Sequence, residues 1–146
     1  SEKEHAFFLG RGVDYTLSLE GSLKLKEISY IHCEAYAAGE LKHGTISLIT
    51  EGTPVVVTAS DPRLFEKTVG SLREAAARGG KILLLASPRL PDVEAASDTI
   101  RLPELPPFFS PFASMPYLQR IAYETAVLRG CDVDQPRNLA KSVTVE

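Results

Sequence analysis

Residues 53–86, TPVVVTASDPRLFEKTVGSLREAAARGGKILLLA, hold two apolar runs separated by a helix-forming segment. The runs TPVVVTA and KILLLA are continuous and rich in aliphatic residues, which is typical of strands buried on both faces. Between them, Ser60 or Asp61 can cap a helix whose first turn contains Pro62 and whose end is marked by two glycines. Strand, helix and strand in this order predict a parallel sheet covered by helices.

The same alternation extends to both ends of the chain. The run HAFFL, residues 5–9, predicts a first strand that is followed by a glycine turn and a long helix. Residues 98–102, DTIRL, predict a weaker, more polar strand near an edge of the sheet. The predicted fold class is therefore α/β, a three-layer α/β/α sandwich with a mainly parallel sheet.

The last strand and the last helix are separated by residues 103–111, which contain four prolines and the rings of Phe108 and Phe109. Because proline fixes the backbone dihedral φ, we expect a rigid crossing segment whose rings pack on another surface. A final helix is predicted over residues 112–130. Its apolar positions keep helical spacing: Met115, Leu118, Ile121, Ala122, Thr125 and Leu128.

The helix after the first strand has an unusual charge pattern. Within residues 17–44, LSLEGSLKLKEISYIHCEAYAAGELKHG, it is predicted to run through Cys33 and the small residues that follow, until Gly39 breaks it. At about 100° per residue, one narrow face holds a group of charges with one isoleucine: Glu20, Lys24, Glu27, Ile31 and Glu34. Apolar side chains border this face on both sides: Leu17 and Ile28, and Leu23 and Tyr30. The solvent side is left to Ser22, Lys26 and Ser29.

This pattern predicts that the charges lie in the middle of the apolar arc, facing the core. A carboxylate and an ammonium three residues apart on such a surface lose water and gain each other, which holds acid and base groups ready for chemistry. The alternative is an ordinary surface ion pair between positions i and i+3. The pattern leaves this alternative open because it does not show whether anything covers the face.

Composition limits the possible classes of protein. The chain has 146 residues, 44% hydrophobic and 24% charged, as expected for one globular domain. A net charge of −3 without a basic run argues against nucleic acid as a partner. No apolar run reaches the length of a membrane span, and no signal peptide is recognised, so we expect a cytoplasmic protein without membrane contact. The start at Ser1 suggests a cut fragment or a processed chain.

The cysteines, one loop histidine and the C-terminal segment provide further predictions. Cys33 and Cys131 lie far apart without a metal-ligand spacing, so neither a disulfide framework nor a zinc site is expected. His43 lies at the tip of a predicted loop, residues 41–44. Residues 1–130 are expected to form the α/β core, and residues 131–146 a tail that docks on it, because apolar residues are spread through its turn-forming sequence.

Two stretches resemble the signature sequences of the glutamine–fructose-6-phosphate aminotransferase family, or glucosamine-6-phosphate synthases: GSLKLKEISYIHCEAYAAGELKHG, residues 21–44, and DVDQPRNLAKSVTVE, residues 132–146. The resemblance covers the C-terminal half of the family's isomerase region, a sugar isomerase (SIS) domain with a flavodoxin-like sheet. It implies conversion of fructose 6-phosphate and glutamine-derived ammonia into glucosamine 6-phosphate. The implied partners are the preceding SIS half, the glutaminase domain and a second copy in a homodimer, and no cofactor or metal is implied.

The resemblance also implies roles for particular residues. Lys141 matches the lysine that forms a Schiff base with the sugar's C2 carbonyl, and Glu27 matches the carboxylate that moves a proton between C1 and C2. Lys24 matches the lysine beside that carboxylate. His43 matches the imidazole that opens the sugar ring and that the family delivers from the neighbouring protomer.

Three further residues are expected around this site. Ala140 is expected to contact the substrate together with Lys141 and Glu27, while Arg137 and Glu20 are expected to hold the tail or a carboxylate in place.

Elementary chemistry supports these roles without the resemblance. A small, apolar neighbourhood lowers a lysine's affinity for its proton and so favours the amine that attacks a carbonyl. A partly desolvated carboxylate can take and return a proton, and imidazole transfers protons near neutral pH. On residue type alone, however, Lys141 and His43 would be read as an ordinary tail lysine and an ordinary loop histidine.

Two other functions remain open at this point: a non-catalytic SIS module for sugar-phosphate binding or dimerisation, and a phosphosugar isomerase that does not use ammonia. The chain lacks the family's Ser/Thr-rich phosphate loop, and it begins with serine where the glutaminase has its cysteine nucleophile. We therefore expect the isolated chain to bind fructose 6-phosphate weakly and to turn it over poorly, with no glutamine hydrolysis.

Overall fold

The structure is a computed structural model, and it describes residues 5–106, 108–137 and 139. Strands and helices alternate along this part of the chain. The strands are β1 His5–Gly10, β2 His32–Ala37, β3 Pro54–Ala59, β4 Lys81–Ala86 and β5 Asp98–Arg101. The helices are α1 Val13–Ser29, α2 Phe65–Ala76 and α3 Met115–Leu128. Short 3₁₀ turns occur at Leu41–His43, Thr45–Leu48, Pro62–Leu64 and Ser110–Ser114.

The sheet has the order β2-β1-β3-β4-β5, and every neighbouring pair is parallel. The direction of strand succession reverses between β1 and β3, which is the topology of flavodoxin-like folds. The predicted α/β/α sandwich is therefore confirmed. No helix among the described residues is long and apolar enough to cross a membrane.

Alternate residues of the central strands build two separate cores, because successive side chains of a strand point to opposite faces. The core on the α2 face includes Phe7, Leu9, Val55, Val57, Leu72 and Leu84. The core on the face of α1 and α3 includes Phe8, Leu17, Leu25, Val56, Leu85 and Leu118. Burial on both faces explains why β3 and β4 are continuous apolar runs.

The prediction that the first helix continues through Cys33 is wrong. The helix ends at Ser29, and Tyr30 takes a left-handed conformation with φ +60°, from which its N–H donates to the carbonyl of Lys26. The next residues form β2, which pairs in parallel with β1 along its whole length, from His32 opposite His5 to Ala37 opposite Gly10. Glu34 therefore lies in a strand and not on the helix.

The predicted orientation of α1 is also wrong. The buried face consists mainly of small and polar residues: Asp14, Leu17, Ser18, Gly21, Ser22, Leu25 and Ser29. The buried hydroxyls of Ser22 and Ser29 donate to carbonyls of their own helix, at 2.9 and 2.6 Å, so burial leaves neither unsatisfied. The charged face is turned away from the sheet, together with the exposed side chains of Leu19 and Leu23.

The region after β5 differs from the prediction in two respects. Phe108 and Phe109 are 80% and 54% exposed, and their rings contact each other edge to face instead of entering the core. The last helix begins at Met115 after a 3₁₀ turn and buries Leu118, Ala122 and Ala126. Leu128, predicted on its apolar face, is 78% exposed.

A matched pair of glycines tests the packing of β1 against α1. A Cβ on Gly10 would lie 2.4 Å from the backbone carbon of Asp14, where no side-chain movement relieves the overlap, whereas a Cβ on Gly70 in α2 would meet nothing within 4 Å. We expect Gly10→Ala to lower the free energy of unfolding by more than about 3 kcal/mol. Gly70→Ala should raise it by about 0.5–1 kcal/mol.

Urea unfolding followed by circular dichroism measures both changes. A Gly10→Ala protein as stable as the wild type would contradict the close approach of β1 to α1.

Candidate active site

The charged residues predicted on α1 form a connected group. The ammonium of Lys24 donates to the Glu27 carboxylate at 2.9 Å and lies 3.5 Å from the Glu20 carboxylate. Their side chains are 38%, 25% and 40% exposed. In this chain the group is thus a partly exposed ion cluster, which agrees with the alternative of a surface pair and not with a core-facing one.

The environment of Lys24 determines its protonation state. The pKa of its ammonium is raised, chiefly by the hydrogen bond to Glu27, which together with the charges of Glu27 and Glu20 outweighs the opposing effect of burial. Lys24 therefore stays a cation at neutral pH and is not suited to attack a carbonyl as an amine. It can hold Glu27 in place and stabilise negative charge beside it, so any nucleophilic amine has to come from another residue.

The tail begins at the end of α1 that carries Glu27. The backbone N–H of Arg137 donates to the hydroxyl of Tyr30 at 2.8 Å, and the guanidinium carbon of Arg137 lies 4.1 Å from the centre of the Tyr30 ring. Since Tyr30 is three residues after Glu27, this contact holds the described part of the tail close to the ion cluster. Ala140 and Lys141, predicted to contact the substrate, lie outside the described residues.

His43 is at the end of the 3₁₀ turn Leu41–His43, and its side chain is 71% exposed. Its Nδ1 lies 2.7 Å from a carboxylate oxygen of Glu40. The turn packs on the α2 face of the sheet, because Leu41 and Ile46 belong to that core.

The sheet therefore separates His43 from the ion cluster. The cluster lies on the outer side of α1, and α1 packs on the opposite face from the turn that carries His43. The structure joins Glu20, Lys24 and Glu27 on the outer side of α1 and holds Arg137 against Tyr30 just after this helix, but it does not bring His43 to them within one chain.

The crevice at the carboxyl edge of the sheet, between β1 and β3, is where open parallel sheets usually bind ligands. Here it is bridged by a buried pair that the sequence did not indicate. The backbone N–H and the hydroxyl of Ser60 donate to the Asp14 carboxylate at 2.9 and 2.6 Å, and both residues are almost completely buried. Because a carboxylate already accepts these two donors, the crevice does not offer them to a phosphate. Asp61, not Ser60, caps the helix that follows.

Metal binding and thiol chemistry depend on the His, Cys, Asp and Glu side chains of the described residues. Within residues 5–106, 108–137 and 139, no group of three or more His, Cys, Asp or Glu side chains could hold a metal ion. Cys33 is buried, and burial raises the pKa of its thiol to about 11, so it is unsuited to act as a nucleophile.

The class of protein follows from this fold and from comparison with known families. A family model described as the SIS domain matches residues 1–129. The structure also superimposes with a TM-score of 0.85 on the C-terminal domain of glucosamine-fructose-6-phosphate aminotransferase from Francisella tularensis. That match is 41% identical in sequence and covers 92% of this chain and 38% of the other.

Curated relatives specify the class further. The chain is 57% identical over 150 residues to glutamine–fructose-6-phosphate aminotransferase [isomerizing] of Brucella abortus, covering all of this chain and 24% of that protein. It is 55% identical over 143 residues to the protein of the same name from Sphingobium yanoikuyae, covering 95% of this chain and 90% of that one. The chain belongs to the SIS domain family and, within it, to the glutamine–fructose-6-phosphate aminotransferases. It spans about a quarter of the length of the Brucella relative.

The buried Asp14 carboxylate makes a testable contribution to pH dependence. Desolvation raises its pKa above the ordinary aspartate value of 3.8, although the hydrogen bonds from Ser60 oppose this. The folded state therefore holds this proton more tightly than the unfolded state, so Asp14 should make the protein less stable as pH rises from about 3.8 through its raised pKa. Asp14→Asn removes this titration.

The measurement is the free energy of unfolding in urea between about pH 4 and about pH 8. We expect the stability of the wild type relative to Asp14→Asn to fall over the lower part of this range and then to become constant. Asp98→Asn, which removes an exposed carboxylate at the start of β5, is the charge-matched control. A relative stability that rises with pH would contradict the assignment.

Proposed function

We propose that this chain is the C-terminal isomerase half of a glutamine–fructose-6-phosphate aminotransferase and supplies most of the groups that convert fructose 6-phosphate and ammonia into glucosamine 6-phosphate. The observation that carries the proposal is the Lys24–Glu27 pair on α1. The contact of Arg137 with Tyr30 holds the tail beside this pair. The family membership and the two signature stretches support the same assignment.

In the proposed reaction, the amine of Lys141 attacks the C2 carbonyl of the open-chain sugar, and water leaves as the imine forms. Ammonia then adds at C2, and the lysine leaves as a free amine. Glu27 takes a proton from C1 and returns one to C2, while the C1 hydroxyl loses its proton and the C2 nitrogen gains one, so the C2 imine becomes an amine and C1 an aldehyde. Lys24 remains a cation beside Glu27 and stabilises charge that develops on the sugar.

The reach of the chain is compatible with this assignment. Lys141 follows Arg137 by four residues, which span at most about 14 Å when fully extended. Arg137 is held at the end of α1, one helical turn beyond Glu27. A lysine at position 141 can therefore lie near the Glu27 carboxylate, and Ala140 would contact the sugar beside it.

The active site is proposed to form between two copies of the chain. Supporting this, the sheet separates His43 from the ion cluster within one chain, and both groups are exposed on their own surfaces. Leu19 and Leu23, 43% and 42% exposed beside the cluster, provide apolar surface for such a contact. His43 of the second copy would then donate and accept the protons that open the sugar ring.

Other parts of the longer protein complete the proposal. The phosphate is held by the preceding SIS half, which is supported by the bridge of Asp14 and Ser60 across the crevice of this half. Ammonia comes from the glutaminase domain, which is consistent with relatives four times as long. We place the protein in the cytoplasm because neither cysteine is in a disulfide.

Complementation between inactive variants of the longer protein tests this function and the shared site together. Lys141→Arg and His43→Ala should each be nearly inactive in forming glucosamine 6-phosphate. When equal amounts are unfolded together and reassembled, half of the dimers are mixed and have one intact site, so activity should return to about a quarter of the wild-type value.

The matched control is a mixture of the Glu27→Gln protein and the Lys141→Arg protein, unfolded together and reassembled in the same way. If the two groups of a site come from one chain, mixed dimers of this pair have no intact site and activity should not return. Recovery in the control, or no recovery in the first mixture, would contradict the proposed arrangement. Formation of glucose 6-phosphate without glucosamine 6-phosphate by the wild type with ammonia would show an isomerase that does not aminate.

A further inference from the structure

Residues 38–43, which end in the turn that carries His43, are fixed to the domain at several points although His43 itself is exposed. At its start, Ala38 donates its N–H to the carbonyl of Gly10, and the hydroxyl of Ser71 on α2 donates to the carbonyl of Ala38 at 2.7 Å. In its middle, Leu41 is completely buried, and Lys42 pairs with Glu74 of α2 at 2.8 Å. Such a turn presents its last side chain in a defined position and not as a mobile loop.

Arg11 also holds the start of this segment in place. Its guanidinium donates to the Ser71 hydroxyl at 3.3 Å and lies against Gly39, where a Cβ would come within 3.0 Å of it. The middle of α2, the residue after β1 and the backbone around Gly39 are thereby joined through one guanidinium. The backbone that leads to His43 is therefore held from three elements of the fold.

Glu40 belongs to the same fixed backbone. Its N–H donates to the carbonyl of Ala37 at 2.8 Å, and its own carbonyl accepts the N–H of His43 at 3.0 Å. These bonds place the Glu40 carboxylate and the His43 ring on one side of the turn, where Oε2 and Nδ1 are 2.7 Å apart. The backbone bonds thus fix the relative position of Glu40 and His43 and favour the contact between their side chains.

We infer that Glu40 is the positioning residue of His43: it holds a proton on Nδ1 and orients the ring so that Nε2 faces the sugar. The inference rests on the proposed function of His43 and adds a residue to it. In a neutral imidazole, a carboxylate at Nδ1 selects the tautomer in which Nδ1 carries the proton and Nε2 is the acceptor. Nε2 can then take a proton from the sugar's anomeric hydroxyl and return it to the ring oxygen.

The same carboxylate stabilises the imidazolium that forms when Nε2 takes the proton. In the free chain this effect is small because water surrounds both groups, whose side chains are 71% and 65% exposed. At a contact with a second copy, water is excluded and the interaction between the two charges becomes stronger. The pair is therefore formed before assembly and becomes effective in the assembled site.

Nitrogen-15 NMR of this chain tests the inference without any activity measurement. At a pH where His43 is neutral, we expect Nδ1 to be the protonated nitrogen in the wild type, and Nε2 to be the protonated nitrogen in Glu40→Ala. In Glu40→Gln, the amide oxygen can still accept from Nδ1, so the wild-type tautomer should be kept. His32, whose Nε2 is 3.8 Å from Glu34, is the internal control and should not change.

Kinetics of the longer protein test the consequence for catalysis. Glu40→Ala should lower kcat by about tenfold or more with little change in KM, because the ring loses its orientation and the charge that stabilises it. Glu40→Gln should have an intermediate kcat, because it keeps the orientation and loses the charge. In a His43→Ala background, Glu40→Ala should cause no further loss.

The outcomes separate this inference from the proposed function. A wild-type tautomer protonated on Nε2, or one unchanged in Glu40→Ala, would overturn the inference. An equal loss from Glu40→Ala with and without His43 would also overturn it, since Glu40 would then act by another route. If His43→Ala itself kept full activity, the proposed role of His43 would fail, whereas the tautomer measurement would still stand by itself.

Discussion

The rotation of α1 about its own axis determines where the chemical groups of this domain lie. The helix packs through Ser18, Gly21, Ser22 and Ser29, whose small side chains allow a close approach to the sheet and to α3. A Cβ on Gly21 would lie only 3.1 to 3.3 Å from atoms of the Leu118 side chain, so there is little room for the helix to turn. With the small residues fixed against the core, Glu20, Lys24 and Glu27 are directed away from the sheet.

This orientation leaves the ion cluster of Glu20, Lys24 and Glu27 partly exposed to water. An ion cluster on the outer side of a helix stays in contact with water, where its members interact weakly. The same cluster gains strength when another surface covers it, because the effective dielectric constant falls. The chain carries this ion cluster on an exposed surface and the imidazole of His43 on the opposite face of the sheet, so the proposed shared site would take one group from each of two copies.

The sequence predicted those parts of the fold that have a strong and unambiguous pattern. β3 and β4 were found because continuous aliphatic runs, one ending at a helix cap and the other beginning after two glycines, have few alternatives. β2 was missed because HCEAYA is short and combines two alanines with a glutamate, residue types that favour helix over strand, directly after a helix. The end of α1 was missed because Tyr30 adopts a positive φ that its residue type does not indicate. The buried face of α1 was missed because Ser22 and Ser29 were assigned to the solvent side.

The candidate site was predictable to a different degree. The contact of Lys24 with Glu27 follows from helical spacing, and the signature stretches singled out His43 and the tail. The Asp14–Ser60 bridge joins residues 46 positions apart and depends on the sheet order, so no local pattern reveals it. The separation of His43 from Glu27 likewise requires knowledge of which face each element covers. Local sequence patterns thus identify the candidate groups, whereas the placement of His43 and Glu27 on different faces of the domain appears only in the fold.

The most direct test of the account is to trap the proposed imine. The longer protein is incubated with fructose 6-phosphate and reduced with borohydride, which converts an imine into a stable secondary amine, and the adduct is located by digestion and mass spectrometry. The account predicts a sugar adduct on Lys141 that disappears in Lys141→Arg. An adduct on Lys24, or on another lysine while Lys141 is unmodified, would contradict it, as would the absence of any adduct in a protein that still forms glucosamine 6-phosphate.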